Sequence, residues 1–480
     1  MKYFQLFLIA ILVVSCSQEK RESEVNHETF SKDLDELQTY FKIPGLAVSI
    51  SSNSEEVLYQ DFKGFVGIEN KIALDSTHLF PVASLTKVFS GIAILKLVED
   101  GKLSLEDPVK KYIPDTQSLG DSVLVKHILS HTSQGELGKN FYYSYRFGTL
   151  TQVIERASGM SFEDYLNQEI LMPLKLARTD FLKDSTQIRN QNLSIAKPYV
   201  LDNGVEAGFI DFGFSASAGI VSDLQDLRRL SFALDIDALI TSESKEKMFT
   251  GINPELPYRY GIFKQTILGT DVVWAYGQYD CYSTLFLKVP EKDLTLILLA
   301  NNSLMSDPAR LIYGDISDSR FALSFLKHYV LDNQQKESTE FKRKELLAQA
   351  LSESFMARFD NESMKRSADL LEKVFSENQD YINHADLSVL HNLTFLKDVA
   401  FYKELGEFSR FDQEIEAIGA RLLKDDPQNP YVNIYLGNYY LRKGEEEKAK
   451  VYFERIVNAK NFSRFWYTKE AENALKSMGK

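Results

Sequence analysis

The apolar run that begins at Ser84 and Lys87 constrains the fold of this chain more than any other stretch. Pro81 stands where a helix can begin and Gly101 where one can end, so the pattern predicts a long helix between them. Such a helix would hold Lys87 inside the protein, away from water. The apolar residues that recur at helical spacing are Leu85, Val88, Phe89, Ile92, Leu95, Leu97 and Val98.

Ser84 and Lys87 would share one face of this helix, because residues three apart lie side by side. Burial disfavours a charged ammonium and lowers the pKa of a lysine. A lysine in that state accepts the proton of a serine hydroxyl, and the start of a helix offers backbone N–H groups to an oxyanion. The pair therefore predicts a nucleophilic serine, against the alternative of a chance Ser-x-x-Lys on a surface helix.

The length of the chain suggests several domains, and its charge argues against a nucleic-acid partner. A chain of 480 residues suggests more than one domain. Its 55 Lys and Arg against 68 Asp and Glu give a net charge of −13 without a basic cluster, which argues against a nucleic-acid partner.

His127 and His131 stand four residues apart, but the sequence places no third metal ligand near them. They therefore predict a structural pair, and we expect no metal or cofactor.

The first sixteen residues have the features of a signal peptide. A charged start precedes an apolar run at 3–14, and the segment ends in Ser15-Cys16. Residues 13–16 resemble the lipobox of bacterial lipoproteins, which implies cleavage before Cys16 and lipidation of its thiol. Residues 17–29 are polar and charged, a composition that predicts a tether without a packed core. We expect a protein of a bacterial cell envelope, lipid-anchored to a membrane and facing the periplasm or exterior; the alternative is an uncleaved or plain secretory signal.

The order of helical and strand-like segments is typical of an α+β fold. A helix at about 30–41 precedes strand-like runs at 45–51 and 57–62, and four more such runs lie between 260 and 300 at hairpin spacing. The middle of the chain is helical and includes a helix pair at 149–172. These segments predict one antiparallel sheet built from distant parts of the chain.

From residue 331 to residue 480 the sequence is charged and helical, without strand-like runs. The segment 430–444, with Ala449 and Phe453, matches the small and large positions of a tetratricopeptide helix pair. The residues at 340–426 look like degenerate copies that would supply stacking neighbours. We predict a tetratricopeptide-like domain that offers a surface to a protein partner; a plain helical cap is the alternative.

Six stretches together resemble the serine β-lactamase-related family, which contains class C β-lactamases, low-molecular-weight DD-peptidases, D-amino-acid amidases and carboxylesterases. They are Phe80-Pro-Val-Ala-Ser-Leu-Thr-Lys, Leu97-Val-Glu-Asp-Gly-Lys-Leu-Ser-Leu-Glu-Asp-Pro, Lys126-His-Ile-Leu-Ser-His-Thr-Ser, Ile154-Glu-Arg-Ala-Ser-Gly, Pro173-Leu-Lys-Leu and Ser217-Ala-Gly-Ile-Val-Ser. The resemblance covers residues 30–305, approximately. It implies a β-lactamase/transpeptidase-like domain at 30–330. Such a domain consists of an antiparallel sheet flanked by helices, plus a helical subdomain. The resemblance also implies that Ser84 is the nucleophile and that Lys87 exchanges a proton with it.

The second motif of that family, Tyr-x-Asn, is altered in this chain. Its tyrosine carries a proton between the serine and the leaving group. Counting back from the following helix selects Tyr142, whereas counting forward from Phe141 selects Tyr143. We prefer Tyr142, with Tyr143 as the alternate. In either register the asparagine is missing, and in the preferred one Ser144 stands in its place.

The third motif aligns with Ala275-Tyr276-Gly277 and keeps the glycine but not the cation. The resemblance implies that the backbone N–H of Gln278 completes an oxyanion hole with that of Ser84. We expect Ala275 to face the cleft and to leave an apolar gap there. Without a cation the site loses a charge-assisted partner for a carboxylate, worth about 1.5–3 kcal/mol, which disfavours penicillins and D-Ala-D-Ala termini.

The sequence therefore predicts an exported, membrane-anchored serine hydrolase that forms an acyl-enzyme on Ser84. Its substrate would be a small ester, amide or peptide-like molecule, and an esterase or amidase is favoured. One alternative is a β-lactamase or a D-Ala-D-Ala peptidase-like penicillin-binding protein. Another is a weak or inactive family member that serves as a binding module together with its helical tail.

The lipobox predicts the behaviour of one variant. Cys16→Ser removes the thiol that would carry lipid, so we expect the protein to leave the membrane fraction or to keep its signal uncleaved. Fractionation and gel migration of the two proteins measure this. A variant that fractionates and migrates like the wild type would show that Cys16 is not lipidated.

Overall fold

The computed structural model describes residues 27–114, 119–186, 194–405 and 410–479. Cys16 lies outside these ranges, together with the signal peptide and residues 17–26 of the predicted tether, so their assignments stay predictions; residues 27–29 belong to the first helix. Within the described ranges, no helix combines the length and the apolar character that crossing a membrane requires.

A seven-stranded antiparallel sheet joins the two ends of the first 300 residues, as the α+β layout predicted. The strands of the chain are β1 (Gly45–Ser52), β2 (Val57–Gly67), β3 (Ile72–Ala73), β4 (Phe80–Pro81), β5 (Asp180–Phe181), β6 (Tyr199–Leu201), β7 (Val205–Ala207), β8 (Ile220–Ser222), β9 (Phe263–Ile267), β10 (Thr270–Tyr279), β11 (Tyr282–Val289) and β12 (Leu294–Ala300). The large sheet has the order β3-β2-β1-β12-β11-β10-β9, and β4-β8-β5 and β6-β7 form smaller sheets. Val48 of β1 stands opposite Leu298 of β12, and this pairing closes the sheet between distant segments.

Helices cover the sheet and form a helical region beside it. They are α1 (His27–Tyr40), α2 (Thr86–Glu99), α3 (Val125–Leu129), α4 (Leu150–Ser158), α5 (Phe162–Leu166), α6 (Leu224–Asp235), α7 (Ser242–Thr250), α8 (Arg320–Phe325) and α9 (Asn333–Glu337). Helix α6 packs on β1 and β12, and α2 packs against α4 and α7. This arrangement confirms the predicted β-lactamase-like fold.

The long buried helix predicted after Ser84 is α2. A 3-10 turn at Ala83–Leu85 leads into it, and nearly every residue of the helix is buried. A helix that is apolar all round must lie inside the protein, and α2 does so between the sheet and the neighbouring helices. Lys87 is therefore buried with it, with only 4% of its surface exposed.

One end of β10 approaches the turn that carries Ser84. Strand β9 pairs only with the first half of β10, up to Trp274, so Ala275–Tyr279 is an edge on that side. A Cβ atom at Gly277 would lie 1.9 Å from the carbonyl oxygen of Val82. Only glycine allows two backbones to come this close, so Gly277 sets the distance between the sheet and the turn.

The last third of the described chain is all helical. Its helices are α10 (Thr339–Met356), α11 (Asn361–Glu377), α12 (Leu387–Tyr402), α13 (Asp412–Asp425), α14 (Pro430–Arg442), α15 (Glu446–Val457) and α16 (Trp466–Met478). A Cβ atom at Gly437 of α14 would lie 2.5 Å from the ring of Phe453 on α15, so a small and a large residue interlock. The predicted helical tail is confirmed, whereas its tetratricopeptide character stays a prediction.

Helix α10 belongs to both apolar cores of the protein. Phe341 and Phe355 lie in the core of the sheet domain, while Leu347 and Ala350 lie in the core of the helical tail. The predicted boundary at residue 331 therefore falls before a helix that packs in both directions.

Hydrogen bonds dock the tail on the loop at 133–146. The Ser463 N–H donates to Oε1 of Gln134 at 2.6 Å, and Nδ2 of Asn461 donates to the carbonyl oxygen of Gly135 at 3.0 Å. These bonds place the last helices of the chain directly beside the loop that carries the tyrosine motif.

Candidate active site

Ser84 and Lys87 meet as the sequence predicted. Nζ of Lys87 lies 3.0 Å from Oγ of Ser84 and donates to the carbonyl oxygen of Ser217 at 2.9 Å. Burial lowers the pKa of Lys87 to about 7. A large fraction of the amine is therefore neutral near pH 7, and a neutral amine can accept the Ser84 proton.

Tyr143 completes this group of side chains. Burial raises the pKa of Tyr143, and it outweighs the Ser84 side chain, which interacts with the Tyr143 hydroxyl and lowers that pKa. The centre of its ring lies 4.9 Å from Nζ of Lys87. Since a raised pKa keeps the phenol protonated at neutral pH, Tyr143 can donate a proton beside the serine.

The structure favours the alternate register over the preferred Tyr142. Tyr142 is 1% exposed, its ring lies 5.2 Å from that of Phe462, and its hydroxyl donates to the carboxylate of Asp426. Both contacts are with the helical tail, so the side chain points away from Ser84. This placement favours Tyr143-Ser144-Tyr145 as the motif.

Tyr145 consequently stands where the family has its asparagine, and Ser144 lies between the two tyrosines. Oγ of Ser144 accepts the backbone N–H of Arg146 at 3.1 Å, which caps the 3-10 turn that follows. Tyr145 is 74% exposed, and its ring meets that of Phe465 at 4.7 Å. A phenol in contact with the tail has replaced the amide that would bind a substrate carbonyl.

His131 supports the tyrosine loop, a role that the sequence reasoning missed. It is 1% exposed, its ring stacks on that of Tyr143 at 4.3 Å, and its Nδ1 accepts the Ser144 N–H at 3.0 Å. Burial lowers the pKa of His131, so the ring is neutral. Its position inside the resembling stretch at 126–133 was the one sequence signal for this role.

The third motif differs from the expectation at one position. Gln278 and Tyr276 line the cavity beside Ser84. Ala275, however, is 5% exposed and belongs to the apolar core, so the expected gap facing the cleft is absent. Successive side chains of a strand point to opposite faces, and the cavity receives those of Tyr276 and Gln278.

Ser84 opens into a cavity of about 620 Å³ between the sheet domain and the helical tail. Its described lining holds more acidic than basic side chains. The acidic ones are Asp211, Asp280, Asp307, Asp398 and Glu470, and the basic ones are Lys87 and Arg310. Arg310 is paired with Asp307 at 3.1 Å. No sequence pattern marked the tail residues as part of this site.

Comparisons with known proteins agree with this geometry. A profile of the Beta-lactamase family matches residues 30–315. Penicillin-binding protein 4* of Bacillus subtilis (strain 168) is 25% identical over 329 residues, which are 55% of this chain and 71% of that protein.

Two solved structures share the fold. The octameric penicillin-binding protein homologue from Pyrococcus abyssi has a TM-score of 0.57 and 24% identity, over 67% of this chain and 81% of that one. The D-amino acid amidase from Ochrobactrum anthropi SV3 has a TM-score of 0.51 and 19% identity, over 57% of this chain and 91% of that one.

The family match contains Ser84, Lys87, Tyr143 and Gly277, whereas the helices from α8 onward begin after its last residue. Since the match spans more than half of the sequence, the chain belongs to the beta-lactamase family, a family of serine hydrolases.

Proposed function

We propose that this protein is a serine hydrolase that cleaves esters or amides through an acyl-enzyme on Ser84. The observation that supports it most is the 3.0 Å distance between Oγ of Ser84 and Nζ of Lys87, whose pKa burial lowers to about 7. A serine is a weak nucleophile unless a neighbouring base takes its proton. A buried amine that is partly neutral at physiological pH is such a base.

The reaction would begin when Oγ of Ser84 bonds to the acyl carbon and its proton passes to Nζ of Lys87. The N–H groups of Ser84 and Gln278 would hold the oxyanion. The bond to the leaving group then breaks, the leaving group takes the proton of the Tyr143 hydroxyl, and Tyr143 regains a proton from Lys87. Water attacks the acyl-enzyme, gives its proton to Lys87, and Ser84 leaves with a proton returned from the amine.

The charges around the cavity favour substrates without a free carboxylate. The basic side chains in the described lining of the cavity are Lys87 and Arg310, and Arg310 is engaged with Asp307. A β-lactam carboxylate would therefore lack a charge-assisted partner and would meet acidic side chains. We accordingly favour an esterase or amidase over a β-lactamase or DD-peptidase.

We propose further that the hydrolase acts at the cell envelope, held by lipid on Cys16. The support is the lipobox-like segment 13–16. Each buried methylene of an acyl chain contributes about 0.8 kcal/mol, so more than one chain gives a stable anchor.

Labelling with a fluorophosphonate tests the hydrolase directly, because this reagent attaches to an activated serine. We expect one adduct on the wild-type protein and none on Ser84→Ala. We also expect faster hydrolysis of a neutral p-nitrophenyl ester than of a chromogenic cephalosporin. An unlabelled wild-type protein would favour a binding module without turnover, and a preference for the cephalosporin would contradict the esterase.

The pKa of Lys87 predicts the pH dependence of the reaction. Only the neutral amine accepts a proton, so kcat/KM should rise with pH and level off above about pH 7. Below that value it should fall about tenfold per pH unit. Lys87→Arg should abolish hydrolysis, because a guanidinium stays charged. A pH-rate profile that is flat between pH 5 and pH 9 would exclude Lys87 as the base.

The two neighbouring tyrosines provide a matched pair of variants. Tyr143→Phe removes the hydroxyl that stands beside Ser84, so we expect kcat to fall about 10²–10⁴-fold. Tyr142→Phe removes a hydroxyl bonded to Asp426 and should leave kcat within about threefold of the wild type. Steady-state kinetics with one neutral ester measure kcat for both variants. A larger loss of kcat in Tyr142→Phe than in Tyr143→Phe would identify Tyr142 as the tyrosine of the motif.

A further inference from the structure

We propose that the helical tail contributes a subsite for a cationic group of the substrate, facing Ser84 across the cavity. The subsite combines aromatic rings with two carboxylates, and its ligand is an ammonium group on the ester or amide. This inference rests on the proposed hydrolase, since the ammonium and the reacting acyl carbon belong to one molecule.

Aromatic rings at several angles line the tail side of the cavity. The rings of Tyr313 and Tyr431 lie 5.5 Å apart at 73°, and those of Tyr431 and Trp466 lie 6.3 Å apart at 42°. His391 and Tyr435 stand beside them, with ring centres 4.7 Å apart. The faces of such rings attract cations, and several faces around one space form a cage for an ammonium group.

Two carboxylates lie in the same wall. Glu470 accepts from Nδ2 of Asn438 at 2.7 Å, and Asp398 accepts from Nε of Arg442 at 3.2 Å. Burial is the largest cause that raises the pKa of Asp398 to about 6; Arg442 lowers this pKa and the charge of Glu470 raises it. The two acids are therefore close enough to interact, and a cation placed between them and the rings would be attracted by both carboxylates.

A buried hydroxyl without a partner marks the place of a ligand. Tyr431 is 4% exposed and lines the cavity, yet its hydroxyl has no hydrogen-bond partner among the described residues. Leaving a buried polar group without a partner costs free energy, so most such groups have a hydrogen-bond partner. The phenol oxygen can accept an N–H of a primary ammonium.

Aromatic side chains connect this wall with the reacting serine. The ring of Tyr276 lies 6.2 Å from that of Tyr143, which stands beside Ser84. Burial raises the pKa of Tyr276, and so do its neighbours Tyr143 and Tyr431. A single elongated substrate can therefore run along Tyr276 from Ser84 to the tail.

The charge balance selects a cation over other occupants of the cavity. Arg442 partners Asp398 and Asp307 partners Arg310, whereas Glu470 has only an amide partner in the described chain. Glu470 is exposed, so its carboxylate would repel an anionic group and gain nothing from a neutral one. An ammonium group would satisfy it together with the Tyr431 hydroxyl.

Two esters of equal shape test the subsite on the full-length protein. The p-nitrophenyl ester of 6-aminohexanoic acid carries an ammonium where that of heptanoic acid carries a methyl group, and Ser84→Ala provides the non-enzymatic blank. We expect kcat/KM for the amino ester to exceed that for the heptanoate at least tenfold. A ratio at or below one would overturn the subsite while leaving the hydrolase intact.

A matched pair of glutamates on α16 locates the effect. Glu470→Gln keeps the size of the side chain but loses its charge, so we expect the ratio of the two esters to fall about tenfold, mainly through KM. Glu472→Gln removes an equal charge, from a residue paired with Arg464 at 2.6 Å, and should leave the ratio as in the wild type. Equal ratios in Glu470→Gln and Glu472→Gln would overturn the assignment.

Binding without turnover separates the two proposals. Hexylammonium should bind the Ser84→Ala protein in isothermal titration calorimetry, and Glu470→Gln in that background should weaken binding about tenfold. Such binding would support the subsite whether or not the protein is an enzyme. Stable esters and an unlabelled Ser84 would refute only the hydrolase. Absence of hexylammonium binding would overturn the subsite.

Discussion

The burial of one amine without a carboxylate partner is the constraint on which the rest of the structure depends. Lys87 is surrounded by the Ser84 hydroxyl, the carbonyl oxygen of Ser217 and the face of Tyr143. Among the described residues, no carboxylate is bonded to its Nζ, and an acid at that distance would stabilise the ammonium and remove the base. The surrounding fold leaves only 4% of Lys87 exposed, and this burial lowers its pKa, so the fold itself sets the protonation state.

Local patterns predicted much of this fold. The apolar spacing after Ser84 predicted the helix α2, and the strand-like runs near both ends of the first domain form one sheet. Both features were predictable because burial and backbone pairing follow the periodicity of the sequence. The orientation of single loop residues follows no such pattern. Tyr142 points towards the tail because Asp426, far along the chain, accepts its hydroxyl, and counting from a neighbouring helix cannot reveal that contact.

The tail side of the cavity was beyond sequence reasoning for a related reason. A helical repeat pattern indicates which residues pack inside the tail, yet it does not indicate which outer face docks on another domain. That choice depends on scattered contacts such as those of Ser463 with Gln134 and of Asn461 with Gly135. Tyr431 and Glu470 reach the cavity only because these contacts bring the two domains together.

Adjacent side chains of the tyrosine loop point in opposite directions, Tyr142 towards the tail and Tyr143 towards Ser84. The tail thereby holds one residue of the loop in place, and the backbone carries that restraint to the next. Fixing a residue's backbone costs about 1–2 kcal/mol of conformational entropy, and here that cost is met when the chain folds, before any substrate arrives. In the proposed hydrolase the helical tail would thus act on the reaction through the order it imposes on a loop, even where none of its atoms touches the acyl group.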